Sequence, residues 1–181
     1  SDGGAANLPT RGATGYEPIA RGNPPSSLVI SPDTSSALSY RQPHAMHDGD
    51  GVTLVFEAHD NATGHSWIAR AHAADGISFD EPVPLLGGPD DSTAFSSPTV
   101  ACSSQDCILL AASSDQQRLY VARGSLAGSF TLDEHVPFEV SEDYETAGIT
   151  HPSAAYDPKR DLFVIVYQTH GAPETTPDLA L

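Results

Sequence analysis

Histidine is the residue type that this sequence offers for chemistry near neutral pH. The chain contains 8 histidines among 181 residues, and an imidazole can act as a general base or as a metal ligand. Four of them, with one arginine, flank apolar segments and are the candidate ligand-binding residues: Arg41, His44, His59, His151 and His170. His151 is also the candidate for a catalytic role. The alternative is that all five are exposed turn residues without a chemical role.

A short acidic segment, His47–Gly51, offers a second kind of chemistry. Its sequence is HDGDG, and alternating acids such as Asp48 and Asp50 can supply oxygen ligands to calcium. The bidentate glutamate of a helix–loop–helix calcium site is missing, and Asp-Gly pairs favour a tight turn between strands. We therefore expect a turn, with calcium as a weaker alternative and no other cofactor. His44 and His47, with His59 or His65, could bind zinc, but their spacing is not diagnostic of a zinc site.

The charge balance limits the partners. Acidic residues outnumber basic ones 24 to 8, which gives a formal net charge of −16. Nucleic acids and anionic membrane surfaces are bound by clusters of Lys and Arg, so neither is an expected partner. No apolar run approaches the ~18 residues of a spanning helix. The sequence begins at Ser1 without a signal peptide, which suggests a processed or trimmed product.

The two cysteines indicate the compartment. Cys102 and Cys107 are separated by four polar residues and flanked by apolar runs. If those runs are antiparallel strands, the two sulfurs meet across the turn, and closing so short a loop contributes about 2 kcal/mol. A disulfide implies a secreted, periplasmic or cell-surface protein. The alternative is a pair of buried thiols.

A repeat of about 54 residues positions these side chains. Pro43, Pro98 and Pro152 stand 55 and 54 residues apart. Apolar runs with turn residues at both ends follow them, which predicts buried strands and no helices; the runs are Leu54–Phe56, Ile108–Ala112 and Leu162–Tyr167. Twelve residues after each proline stand Val55, Leu110 and Val164, which we expect to be equivalent and buried.

Each repeat contains four predicted strands, and four-stranded units of this period are typical of a β-propeller. The fold class is therefore all-β, with about three antiparallel blades visible. Residues 1–14 are a predicted flexible tether, and 15–40 a partial blade. Complete blades are predicted at 41–95 and 96–149, and a partial blade at 150–181. Closed propellers have more blades, so we expect a fragment of a larger ring, a ring completed by a second copy, or an open repeat.

The third strand of each complete repeat carries a family resemblance. The turn segments Ala73–Phe79 (AADGISF) and Ser125–Phe130 (SLAGSF) are similar to the Ser-x-Asp-Gly-x-x-Trp/Phe turns of glycosidase-like propellers. Those families are the sialidases and the five-bladed arabinanase, xylosidase and invertase group. The resemblance covers residues 40–170 and indicates a degenerate member.

The resemblance implies that a catalytic carboxylate precedes the proline that opens a blade. Here those positions hold Gln42, Ser97 and His151, none of which is an acid. Glycoside hydrolysis needs two carboxylates, so we expect no glycosidase activity from this chain alone.

Three interpretations of function follow. The first is a secreted or surface module that binds a glycan or a protein partner without catalysis. The second is part of a glycoside hydrolase whose carboxylates lie partly outside this chain, with the remaining blades on another chain or a second copy. The third is a His-dependent lyase or a metal site at the mouth of the propeller.

Overall fold

The computed structural model describes a chain of β-strands joined by short turns. The described residues are 37–49, 51–76, 78–133, 138–142, 145–170 and 178–180. The predicted tether at 1–14 and residues 15–36 of the first partial blade lie outside them. Among the described residues, no helix has the length and apolar character needed to cross a membrane.

The first sheet is an antiparallel meander in the order β1-β2-β3-β4. Its strands are β1 (Leu38–His47), β2 (Val52–Asp60), β3 (Ser66–Ala73) and β4 (Val83–Leu86). The first strand begins three residues before the predicted blade start at residue 41, because Leu38 to Tyr40 already pair with β2. The strand begins earlier because Leu38 and Tyr40 pack on the apolar face of their own sheet.

The second sheet repeats this meander. It contains β5 (Phe95–Cys102), β6 (Cys107–Ser113), β7 (Arg118–Gly124) and β8 (Phe130–Leu132). A two-residue strand, β9 (Phe138–Glu139), pairs with β7 beyond the end of β8. The four-stranded antiparallel unit that the repeat predicts is therefore confirmed in two successive sheets.

The third sheet has three strands in the described residues. These are β10 (Gly148–Asp157), β11 (Leu162–His170) and β12 (Asp178–Ala180), in the order β10-β11-β12. The register of β10 and β11 matches that of the first two strands in the other sheets, including an irregularity early in the first strand.

The first two sheets pack face to face through an apolar core. Val55 and Ile68 of the first sheet join Phe95, Val100 and Leu109 of the second in one buried cluster. Polar bonds fix the relative position of the two sheets. The Ser66 hydroxyl donates to the Phe95 carbonyl at 2.8 Å, and the guanidinium of Arg70 donates to the carbonyls of the turn between β7 and β8.

The repeat positions are equivalent in two sheets but shifted in the third. Val55 pairs with His44 and Leu110 with Thr99, each directly after the irregularity, and both are fully buried. The corresponding residue in the third sheet is Val166, which pairs with Ser153. The prediction for Val164 is therefore wrong, and that side chain is 38% exposed.

The length of the hairpin explains the shift. Four residue pairs separate the irregularity from the turn in each of the first two sheets, whereas five do so in the third. One additional pair places two more residues between the proline and the equivalent position. Counting twelve residues from the proline therefore does not find the equivalent residue in the third repeat, whereas the strand register does.

The predicted disulfide is present. Cys102 and Cys107 are directly paired at the ends of β5 and β6, with their Cα atoms 4.0 Å apart. The intervening turn is stabilised by Ser103, whose amide and hydroxyl both donate to the Asp106 carbonyl. The disulfide thus closes a hairpin that is already hydrogen-bonded.

Truncation of Leu110 and of Val164 should lower the stability of the protein by different amounts. Leu110→Ala leaves a cavity in a fully buried site and should lower the free energy of unfolding by about 2–5 kcal/mol. Val164→Ala is the matched control, because its exposed side chain loses less contact, and it should cost less than half as much. Urea unfolding followed by circular dichroism measures both. Equal losses for the two variants would contradict the assigned register.

Candidate functional site

The first strand of every sheet contains the same bulge. One extra residue is inserted between Arg41 and His44, between Ser96 and Thr99, and between Thr150 and Ser153. Within each bulge, the residue before the proline has a positive φ; these are Gln42 (50°), Ser97 (51°) and His151 (46°). Bulges change the direction of a side chain and occur often near functional sites.

This conformation is costly for residues other than glycine. The left-handed region costs roughly 1–2 kcal/mol for an L-residue, and a following proline normally favours an extended conformation. The same strain occurs three times at the spacing of the sequence repeat. Strain of this kind persists where the surrounding packing determines it, and it is typical of functional sites.

A polar cluster lies at the same end of the first sheet. Arg41 donates from Nη2 to Oδ1 of Asn61 at 3.2 Å, and the hydroxyl of Ser39 lies 3.3 Å from the same oxygen. The amide nitrogen of Asn61 donates to the Ala37 carbonyl at 2.6 Å. The guanidinium of Arg41 is thus held at an exposed position by a neutral partner, and its charge is available to a ligand.

Glu57 is a functional candidate that the sequence analysis missed. It pairs with Arg41 across β1 and β2 and is only 5% exposed. Its Oε1 lies 3.8 Å from Nδ1 of His59. A charged residue inside the apolar run of β2 was the signal that could have found it, since buried carboxylates are rare without a partner. His59 therefore belongs with Glu57 at this end of the sheet.

His44 lies at the junction of the first two sheets. Its Nδ1 is 3.4 Å from Oγ1 of Thr99, which is buried. Burial lowers the pKa of His44, and a hydrogen bond to the backbone of Val100 partly opposes this effect. The neutral imidazole is thus favoured. His44 contacts the second sheet more than it faces the open mouth of the propeller.

His151 and His170 lie on either side of one hydroxyl group. Nδ1 of His151 and Nε2 of His170 are each 3.0 Å from Oγ1 of Thr150. Thr150 is buried, whereas His151 is exposed. The structure thus brings these two predicted residues together, and it groups Arg41 with Glu57 and His59 in the first sheet.

The segment before β10 is fixed by Glu145. One carboxylate oxygen accepts from the amides of Ser141 and Glu142 at 3.0 and 3.2 Å, and the other accepts from the hydroxyl of Tyr167 at 2.7 Å. Burial alone would raise the pKa of Glu145, but these three donors hold it below its usual value. The carboxylate therefore anchors the segment that leads to His151.

The acidic turn lies at the opposite end of the sheet from the bulges. Asp48 accepts a hydrogen bond from the hydroxyl of Thr53 at 2.5 Å, and its carboxylate is 3.2 Å from Nδ1 of His72. Asp50 lies outside the described residues, so calcium binding stays a prediction. In the described part of the chain, no group of three or more His, Cys, Asp or Glu side chains is arranged to hold a metal ion.

A groove of about 710 Å³ lies beside this acidic turn. It is lined by residues from both of the first two sheets, among them His47, Asp48, Arg70 and the two cysteines of the disulfide. This groove is thus at the end away from the bulges, and none of the five predicted ligand-binding residues lines it.

Several solved structures share this arrangement of sheets. A glycoside hydrolase aligns with 84% of this chain and 56% of its own, with a TM-score of 0.63 and 13% identity. A thermostable family-43 glycoside hydrolase aligns with 83% of this chain and 55% of its own, with a TM-score of 0.61 and 16% identity. An α-L-arabinofuranosidase from Lactobacillus brevis aligns with 77% and 48%, with a TM-score of 0.58 and 16% identity.

The chain therefore has the fold of part of a β-propeller, similar to the folds of these solved structures. It spans about half the length of these structures, and the predicted propeller is therefore confirmed as a partial one. At identities below 20%, the likeness concerns the fold. The sequence matches no protein-family model and no curated protein.

Replacement of Glu145 should change how stability depends on pH. Because its folded-state pKa is lowered, Glu145 stabilises the fold above its unfolded-state pKa, and this contribution is lost as the pH falls through the lower folded-state value. Glu145→Gln should lower the free energy of unfolding by about 1–3 kcal/mol at pH 7. The variant should then lose less stability than the original protein as the pH falls. The exposed Glu142→Gln is the control. Urea unfolding between pH 7 and pH 3 measures this, and parallel curves for Glu145→Gln and the original protein would contradict it.

Proposed function

We propose that this chain forms part of a carbohydrate-binding mouth in a glycoside hydrolase-like propeller, whose catalytic carboxylates lie partly outside these residues. The observation that carries the proposal is the repeated bulge at Gln42, Ser97 and His151. Each of these residues lies on the first strand of its sheet. At the same end of the first sheet, Arg41 is exposed and His59 is half-buried. The resemblance to propeller glycosidases supports carbohydrate as the ligand.

The side chains at the three bulges suit binding better than cleavage. Cleavage of a glycosidic bond needs an acid to protonate the leaving oxygen and a second carboxylate on the other side of the bond. The amide of Gln42 and the imidazole of His151 are exposed and can instead donate to and accept from sugar hydroxyls, whereas Ser97 is almost fully buried. Glu57 pairs with Arg41, the residue next to Gln42, but its side chain is almost fully buried.

The third sheet supports a ring that continues. Val55 and Leu110 occupy equivalent positions, and each is fully buried between its own sheet and the next. The equivalent Val166 is half-buried, and Leu162 and Val164 on the same face are 41% and 38% exposed. We therefore propose that a further blade covers this face, as the second and third sheets cover the faces before them.

A non-catalytic binding module is the second candidate. The observation that favours it is that none of the three bulge positions carries an acid, so a complete ring would lack carboxylates in at least these blades. For either candidate, we propose a secreted, periplasmic or cell-surface location, because the hairpin disulfide would be reduced in a cytosol.

Binding and turnover should be measured with the purified chain. We expect no hydrolysis of a panel of aryl glycosides. We expect weak binding of plant or microbial oligosaccharides by calorimetry, and Arg41→Ala should weaken it about tenfold or more, as expected for the loss of a hydrogen bond to a charged group. Arg118→Ala is the matched control, because Arg118 is paired with Glu139 and lies outside the bulges.

Two outcomes would contradict this proposal. If the chain alone hydrolyses a glycoside and His151→Ala abolishes that turnover, the residues described here contain the catalytic group. If an oligosaccharide binds equally well to the Arg41→Ala variant, the polar cluster of the first sheet is not part of the binding site.

A further inference from the structure

The hydroxyl of Thr150 has a constrained role between its two histidines. A hydroxyl donates one hydrogen bond and accepts others, while both imidazole nitrogens lie 3.0 Å from Oγ1. At most one histidine can accept the single hydroxyl proton, so when Thr150 acts as both donor and acceptor between them, one histidine accepts from it and the other donates to it. This rule links the proton positions of His151 and His170, although the two side chains are in different strands.

Two arrangements satisfy these bonds when both histidines are neutral. In the first, Thr150 donates to Nε2 of His170 and Nδ1 of His151 donates to Thr150, which leaves the Nε2 lone pair of His151 free. In the second, Nε2 of His170 donates to Thr150, which donates to Nδ1 of His151. Transfer of protons through the Thr150 hydroxyl, with addition of one proton at Nε2 of His151 and loss of one from Nδ1 of His170, converts the first arrangement into the second.

We propose that Thr150 is a proton relay that connects His151 in the mouth with His170 beside β10. A proton from the solvent binds Nε2 of His151. The proton on Nδ1 of His151 moves to Oγ1 of Thr150, and the original hydroxyl proton of Thr150 moves to Nε2 of His170. The net result is a neutral His151, an intact hydroxyl and an imidazolium at His170.

The backbone around the relay is fixed on both sides. The amide of Ile149 donates to the Gln116 carbonyl at 2.8 Å, and the amide of Ala147 donates to the carbonyl of His170 at 2.7 Å. Gly148 has a φ of 132°, and a Cβ there would lie 2.9 Å from the side chain of Gln116. The bulge then sets the direction of His151. The relay is therefore preorganised by strand pairing and a close approach that requires glycine.

Neighbouring charged groups have other partners. On the elements packed against β10, the titratable side chains near this end are Asp115 and Arg118 around the turn between β6 and β7, and Glu145 before β10. Asp115 accepts from Ser113 at 2.5 Å, Arg118 pairs with Glu139, and Glu145 is bonded to Tyr167. The strand β5 carries no titratable side chain other than the disulfide cysteine. The relay is thus free to couple its own two histidines.

The relay rests on the proposed function only for the identity of the ligand at His151. His151 occupies the bulge position at which the resemblance places a carboxylate, and through Thr150 it can accept and release a proton there. The relay itself exists without any sugar, so it can be tested on the chain alone. A failure to bind oligosaccharide would contradict the proposed function and leave the relay test unchanged.

The test is NMR of the imidazole nitrogens in the ¹⁵N-labelled chain at a pH where both histidines are neutral. We expect His151 and His170 to have linked tautomers, with both protons on Nδ1 or both on Nε2. Thr150→Val, which keeps the shape and removes the hydroxyl, should give a mixture of tautomers at each histidine. Thr150→Ser should restore the linked tautomers. Thr99→Val is the control, because it removes the hydroxyl near His44 instead.

Thr150 is buried, so Thr150→Val has the risk of misfolding. His170→Gln keeps Thr150 and changes only the far end of the relay, and it should change the ratio of the two neutral tautomers of His151. Unchanged tautomer ratios at His151 in both folded variants would overturn the proposal. If Thr150→Val does not fold, an unchanged tautomer ratio at His151 in His170→Gln alone is sufficient to overturn it.

Discussion

Face-to-face packing between successive sheets is the interaction on which the rest of this structure depends. The cluster that contains Val55, Ile68 and Leu109 excludes water from the centre of the first two sheets and fixes their separation. A meander alone is marginally stable, and a sheet needs another layer to cover its apolar face. Because each sheet is held by its neighbour, the backbone of the first strands can adopt a conformation that an isolated hairpin would not keep.

The strained bulges follow from this packing. Gln42, Ser97 and His151 each have a positive φ at the point where the apolar centre of the sheet ends and the polar end begins. The packed strand on one side and the proline on the other leave little freedom to relax. The cost in conformational energy is repeated in three blades, and bulges of this kind change the direction of the side chains that they carry. The polar chemistry of the protein is thus concentrated at strand ends, and the centres of the sheets remain apolar.

The sequence predicted the elements better than it predicted their exact alignment. The proline spacing, the apolar runs and the cysteine pair were sufficient for the three antiparallel sheets and the disulfide, since each depends on local patterns. Val164 was misassigned because the third hairpin is one pair longer, which only the register shows. Glu57 was missed because the resemblance directed attention to the residues before the prolines.

Contacts between distant residues were beyond the sequence. No local pattern indicates that Thr99 approaches His44, or that Thr150 lies between two imidazoles from different strands. The positive φ values were also not predictable, because glutamine, serine and histidine before proline normally favour extended backbone. These features arise only when the sheets pack.

The backbone at the three bulges tests the central claim most directly. A residue with positive φ brings its amide proton close to its own Hα, whereas an extended residue separates them. The intraresidue HN–Hα NOE should therefore be strong at Gln42, Ser97 and His151, and interstrand NOEs should connect the pairs His44–Val55, Thr99–Leu110 and Ser153–Val166. Weak intraresidue NOEs at all three residues, or a Ser153–Val164 pairing, would contradict the account of three equivalent blades with a common mouth.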